Sequence, residues 1–140
     1  MKNIAFIGTS HIHTPNFISK VISNIKINCI GVWDKDKNRS KSDSDKLQCK
    51  NYDNYVDLLK EPNLDGVIVC SETNLHYELV KKITENKKHC FIEKPLGIGK
   101  KDSFEMANLI ESSKIIFQTG YFMRSNPVYI KLKELITNNY

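Results

Sequence analysis

With 140 residues, 40% of them hydrophobic and 26% charged, the chain can bury one domain's core. It has no apolar run near the roughly 18–20 residues of a membrane span, and its first residues enter a strand-like run without the layout of a signal peptide; a cytoplasmic domain with no membrane role is expected. The net charge of +5 is spread out, and its densest stretch, Lys35–Lys46, also holds Asp36, Asp43 and Asp45 and lacks interleaved aromatics, so it reads as solvated surface and not as a nucleic-acid platform.

Short apolar runs alternate with amphipathic segments along the chain. A first strand, Asn3–Ile7, is followed by Thr14-Pro15, which reads as an N-cap with proline at the first helical position. The helix that follows would bury Phe17, Ile18, Val21 and Ile25. A second strand, Asn28–Trp33, ends at Asp34, and Lys35–Lys46 reads as a loop with a short helix. A short edge strand is expected near Cys49–Asn51, then a brief helix capped by Asp53, packing through Tyr55, Val56, Leu58 and Leu59 and broken at Pro62-Asn63. Gly66–Cys70 is a continuous apolar run of the kind a doubly covered parallel strand needs.

A helix over Asn74–Glu85 (burying Leu75, Leu79, Val80 and Ile83), a strand over His89–Ile92, a helix over Lys101–Ser112 (Phe104, Ala107, Leu109 and Ile110), a strand over Lys114–Thr119 and a last helix from Asn126-Pro127 (Ile130, Leu132, Leu135 and Ile136) complete the reading. The alternation implies right-handed β-α-β crossovers: an α/β, Rossmann-type, doubly wound, mostly parallel sheet of about six strands in three αβα layers. The cysteines Cys29, Cys49, Cys70 and Cys90 form no C-x-x-C pair and fall one per β-α unit, which points to reduced, buried thiols.

The chemistry-bearing residues gather at predicted strand ends. The turn Gly8-Thr9-Ser10-His11-Ile12-His13 holds only the first glycine of a G-x-G-x-x-G fingerprint, with Ser10 and His13 at the other two places. A strand before it and a helix after it still allow backbone amides, with the Thr9 or Ser10 hydroxyl, to hold a phosphate. His11 and His13 lack an obvious third ligand, so no metal site is expected. Asp34 ends the second strand about 20 residues after the turn, where an acid would accept ribose hydroxyls; it would repel a 2′-phosphate and favour NAD over NADP, softened by Lys35, Lys37 and Arg39. Capping of the next turn is its structural alternative. Ser71-Glu72-Thr73-Asn74-Leu75-His76 is a polar turn with Thr73 or Asn74 as N-cap, and His76 either faces the crevice or packs against the fifth strand.

Glu93-Lys94-Pro95 ends the apolar run Cys90-Phe91-Ile92 and delivers an ammonium group to the carboxyl edge of the sheet, where ligands of open α/β sheets bind. Adjacent side chains of an extended segment point to opposite faces, so only one of Glu93 and Lys94 is expected to reach the site directly. A lysine there can orient a hydroxyl or carbonyl and stabilise negative charge on its oxygen.

These residues, with Trp33-Asp34, Asp65-Gly66-Val67-Ile68-Val69, Asn74-Leu75-His76 and the segment Gly120-Tyr121-Phe122-Met123-Arg124-Ser125-Asn126-Pro127, resemble the N-terminal domain of the Gfo/Idh/MocA oxidoreductases. The resemblance covers essentially the whole chain. It implies a dinucleotide-binding domain over residues 1–140, with the family's C-terminal substrate domain outside this chain. It also implies NAD as cofactor, with NADP as the other choice, and hydride transfer with a small-molecule sugar, polyol or inositol substrate. By the same resemblance Lys94 is the catalytic or substrate-orienting lysine and Lys94–Pro95 a candidate cis peptide. Gly8, Thr9, Ser10, His11, Ile12, Asp34, Ser71, Glu72, Asn74, His76, Glu93, Lys94, Pro95 and Arg124 are the expected cofactor-contacting positions. Glu72 stands where many members have proline. This chain alone is expected to bind cofactor and to be catalytically incomplete, with oligomerisation open. The alternative is a stand-alone nucleotide-sensing or protein-interaction module.

Overall fold

The structure, a computed structural model, describes residues 1–138. Six strands, β1 (Lys2–Ile7), β2 (Ile27–Trp33), β3 (Lys50–Asn51), β4 (Gly66–Val69), β5 (His89–Ile92) and β6 (Phe117–Thr119), form one sheet in the order β3-β2-β1-β4-β5-β6. Every pairing is parallel. Strand order reverses between β1 and β4, and the carboxyl ends of those two strands flank the crevice where such sheets bind ligands.

Among the described residues five α-helices lie between strands, α1 (Thr14–Ile22), α2 (Lys37–Leu47), α3 (Tyr55–Leu59), α4 (His76–Glu85) and α5 (Lys100–Ser113), and α6 (Pro127–Thr137) follows β6. The period-2 alternation of β1 divides the core between the two faces of the sheet. Ala5 and Ile7 join Leu58, Leu59, Leu79, Val80, Ile83 and Met106 beneath α3, α4 and α5. Phe6 points the other way and packs with Ile18, Val21 and Val32 beneath α1. Each fully buried side chain of this size contributes about 1.5–3 kcal/mol.

Several boundaries differ from the sequence reading. α2 is a full helix of 11 residues, not a loop with a short helix: the Asp36 carboxylate accepts the Asn38 and Arg39 amides, and its buried face is Ser40, Asp43 and Ser44. Such a face carries no apolar periodicity. His13, not Thr14, occupies the N-cap of α1; Thr14 is the first helical residue, and its Oγ1 is buried without a hydrogen-bond partner. Ile25 lies past the end of α1 and is 90% exposed.

Asn54, not Asp53, caps α3 by accepting the Val56 amide, and neither Thr73 nor Asn74 caps the next segment, which starts as a 3-10 turn over Thr73–Leu75. Lys114, in the left-handed region at φ 58°, closes α5, so β6 starts only at Phe117. α5 buries Met106, while Phe104 and Ala107 are exposed. α6 starts as read, with the Asn126 carboxamide accepting the Val128 amide, but its Ile130, Leu132, Leu135 and Ile136 are exposed. Of the cysteines, Cys70 and Cys90 are buried, whereas Cys29 and Cys49 are only partly so; all four are free thiols. No helix among the described residues is long and apolar enough to cross a membrane.

Candidate functional site

The carboxyl ends of β1, β2, β4 and β5 bring four polar segments together, and Gly8 fixes the first. Its φ of +76° lies in the left-handed region, and a Cβ at this position would stand 2.4 Å from Ser71 Cβ. The chain therefore turns off β1 in contact with the end of β4. The Gly8 N–H donates to the Trp33 carbonyl at 2.7 Å, and the Cys70 N–H donates to the Gly8 carbonyl at 3.1 Å. The Thr9 amide goes to Asp34 and the His11 amide to the Cys70 carbonyl, which leaves the Ser10 and Ile12 N–H groups without a hydrogen bond among the described residues. Two free amides beside the first turn of α1 are what an anionic group seeks. A dinucleotide's pyrophosphate thus fits the backbone here, although two of the fingerprint glycines are replaced.

Asp34 stands at the end of β2 and is 1% exposed. Its oxygens accept the Thr9 amide at 2.5 Å and the Asp36 amide at 2.8 Å. Arg39 closes the remaining side, with Nη2 donating to Oδ1 at 2.7 Å and Nε to Oδ2 at 3.1 Å. Burial opposes the charge on Asp34, but the Arg39 guanidinium and the two amides outweigh it and hold the carboxyl below its ordinary value. Lys35 pairs with Glu72 at 2.9 Å and Lys37 with Asp53 at 3.0 Å. Of the three nearby cations, Arg39 is the one that neutralises Asp34.

Glu93 ends β5 and is 2% exposed, whereas Lys94 beside it is exposed, the division expected of neighbouring positions in an extended segment. The His13 Nδ1–H donates to Glu93 Oε1 at 2.9 Å, and the Lys94 amide donates to Oε2 at 2.9 Å. Burial opposes ionisation of Glu93, yet the bond from His13 and the Lys94 amide lower its pKa. Burial lowers the pKa of His11, which Glu93 raises and Lys94 lowers again; the net direction is down. The Lys94–Pro95 bond is cis. Beneath that turn His76 is 1% exposed, its Nδ1–H donating to the Pro95 and Leu96 carbonyls at 3.0 and 3.1 Å. His76 therefore supports the lysine's turn from below and does not open onto the crevice.

The sequence-predicted residues thus fall into a connected edge with two residues outside it. Gly8 to Ile12 form the turn described above, and Asp34, Ser71, Glu72, His76, Glu93, Lys94 and Pro95 contact it, support the Lys94 turn or, for Glu72, pair with Lys35, while Asn74 lies exposed in the 3-10 turn of the Ser71–His76 segment. Arg124 sits in a 3-10 turn before α6 and lines a separate cleft of about 490 Å³ with Met123, Tyr129, Ile130 and Lys133. Sequence reasoning left His11 and His13 without a third donor. The fold supplies Glu93, and one donor atom from each of the three lies within 4.8 Å of the others. The sequence named Arg39 only as one of three cations near Asp34 and did not single it out as the partner. The available signal was Asp36, whose cap starts α2 so that Arg39 falls in the first turn.

The model of the oxidoreductase family with an NAD-binding Rossmann fold matches residues 2–121. The chain is 34% identical over 133 residues to myo-inositol 2-dehydrogenase of Thermotoga maritima, covering 94% of this chain and 38% of that protein. It is 28% identical over 137 residues to inositol 2-dehydrogenase/D-chiro-inositol 3-dehydrogenase of Lactiplantibacillus plantarum, covering 95% and 37%. It therefore spans less than two-fifths of the length of these curated relatives. The crystal structure of a probable dehydrogenase from Thermotoga maritima superposes with a TM-score of 0.82 at 31% identity, covering 97% of this chain and 41% of that one. With all strands parallel, the ligand edge at the β1/β4 reversal and the family model matched over residues 2–121, the chain belongs to the Gfo/Idh/MocA oxidoreductase family and forms its NAD-binding Rossmann domain.

Proposed function

We propose that this chain is the cofactor-binding part of an NAD(P)-dependent dehydrogenase that moves hydride between a hydroxyl-bearing carbon of a sugar, polyol or inositol and the nicotinamide. The observation that carries the reading is the placement of Lys94: exposed, on a turn fixed from below by His76, and directly after buried Glu93 at the ligand edge. The names of the inositol dehydrogenase relatives support the substrate class.

The Ser10 and Ile12 amides would hold the pyrophosphate and the Asp34–Arg39 pair would meet the adenosine ribose. The nicotinamide, when bound, supplies the hydride acceptor. Lys94 would hold the substrate oxygen and stabilise the alkoxide charge it carries once its proton has left to solvent, or gains when hydride adds to the carbonyl carbon in the reverse direction. Glu93 and His13 would keep the segment in register. Turnover needs substrate and nicotinamide held together in near-attack geometry. This chain offers one wall of such a cleft, so alone it binds cofactor and turns over little or nothing.

A second reading, a nucleotide-sensing or protein-interaction module, is favoured by one feature, the exposed Ile130, Leu132, Leu135 and Ile136 of α6. Calorimetry with NAD and NADP, together with inositol-dependent NAD reduction by a protein that carries this domain and its Lys94→Ala variant, separates the two. Cofactor binding retained with reduction lost on substitution supports the dehydrogenase. Reduction unchanged by Lys94→Ala would remove the lysine from the mechanism.

A further inference from the structure

The ligand edge uses none of the cysteines. Cys70 and Cys90 are buried, and burial raises both thiols, Cys70 to about 12. Cys29 on β2 and Cys49 just ahead of β3 differ: each is partly buried, and their sulfurs lie 3.7 Å apart. Cys29 pairs with Ile4 in the amino-terminal half of β2, whereas Asp34 lies past its carboxyl end, so the thiol pair is separate from the cofactor site. Cys29 also lines a surface cleft of about 250 Å³ with Lys46, Leu47 and Gln48, wide enough for a small oxidant. Cys49 follows Gln48, which ends α2 in the left-handed region at φ 52° and is therefore free of helical constraint.

We propose that Cys29 and Cys49 are a redox-modification site that forms a reversible disulfide, with hydrogen peroxide as the oxidant. Bringing the sulfurs to bonding distance requires them to approach by about 2 Å, within the reach of χ1 adjustments and a small shift of the residue after the helix. Cys29 is the sulfur of the pair that lines the cleft, and the neighbouring Cys49 thiol holds it below the usual thiol value, so Cys29 is the attacking sulfur. Its thiolate attacks one peroxide oxygen, the O–O bond breaks, hydroxide leaves and Cys29 becomes a sulfenic acid. The Cys49 sulfur then attacks Cys29 Sγ, the S–O bond breaks, and the departing oxygen takes the Cys49 proton as water. Two thiols and one peroxide give one disulfide and two waters, and a dithiol reductant reverses the step. The product ties the end of α2 to β2.

The test treats the reduced 140-residue chain with equimolar hydrogen peroxide, then maps disulfides by mass spectrometry of a non-reducing digest. The expected result is loss of two hydrogens, a single Cys29–Cys49 crosslinked peptide, and Cys70 and Cys90 still alkylatable after denaturation. Cys49→Ser should trap the sulfenic acid at Cys29 as a dimedone adduct, and Cys29→Ser should give far less adduct at Cys49. A crosslink through Cys70 or Cys90, a crosslink only between chains, or peroxide consumption that ends in sulfinic acid without a crosslink would overturn the proposal. Equal adducts in the two variants would overturn the assignment of Cys29 as the attacking sulfur.

Discussion

Arg39 grips Asp34 through two parallel hydrogen bonds, Nη2 to Oδ1 at 2.7 Å and Nε to Oδ2 at 3.1 Å, and so neutralises the acid expected to read the adenosine ribose. An unpaired carboxylate at the end of β2 would repel a 2′-phosphate, whereas this paired one carries its own counter-charge. Discrimination between NAD and NADP should therefore be modest. Arg39→Ala should weaken NADP relative to NAD by about 10–100-fold, the worth of a charge-assisted hydrogen bond of roughly 1.5–3 kcal/mol. Calorimetric titration of the variant with both cofactors checks this; an unchanged ratio would place Arg39 outside the cofactor site.

Gly8→Ala should be strongly destabilising. The φ of +76° is strained for alanine, and the new methyl would meet Ser71 Cβ at 2.4 Å and Ser71 Cα at 2.7 Å. Backbone strain costs about 1–3 kcal/mol and overpacking a similar amount. The thermal midpoint of the variant should fall by many degrees, and a fall of only one or two degrees would mean that β1 and β4 do not close as described.

Acid should destabilise the fold in two windows. His11 has a folded-state pKa below its ordinary 6.5, so the unfolded chain binds the proton first and stability declines as pH falls below 6.5 towards the folded value. Asp34 and Glu93 are also lowered, from ordinary values of 3.8 and 4.5. Their contribution is present above those values and is lost as pH falls through the folded ones. Urea midpoints measured from pH 8 to pH 3 should show both declines, and His11→Gln should remove the upper one.

Zinc should not bind stoichiometrically at His11, His13 and Glu93, although their donor atoms lie within 4.8 Å of one another. Both Glu93 oxygens already accept a hydrogen bond, from His13 and from the Lys94 amide. The amino end of α1 and the Lys94 ammonium add positive charge beside the cluster. Equilibrium dialysis against micromolar zinc tests the point, and one bound zinc that disappears with His13→Ala would contradict it.

What the sequence made legible follows from which forces are local. β5 over His89–Ile92 and the Asn126-Pro127 start of α6 were readable because strand runs and caps are written in consecutive residues. α2 was not, because its buried face is Ser40, Asp43 and Ser44, and its start rests on a single aspartate cap. Met106 takes the place expected for Phe104 because the facing surfaces of α4 and the Gly97 turn, not the period of α5 alone, choose the buried side. At the candidate site, Gly8, Asp34 and Lys94 could be placed at the ligand edge because strand ends are legible in consecutive residues. The His13–Glu93 bond joins residues 80 apart and exists only once the sheet order is known.

The most direct test of the account is an amide chemical-shift titration of this chain with NAD. The account predicts saturable shifts beginning at the free Ser10 and Ile12 amides and extending to Asp34–Asp36, Thr73–Asn74 and Lys94. No shifts at millimolar NAD, or shifts confined to α6 and the Arg124 cleft, would contradict it.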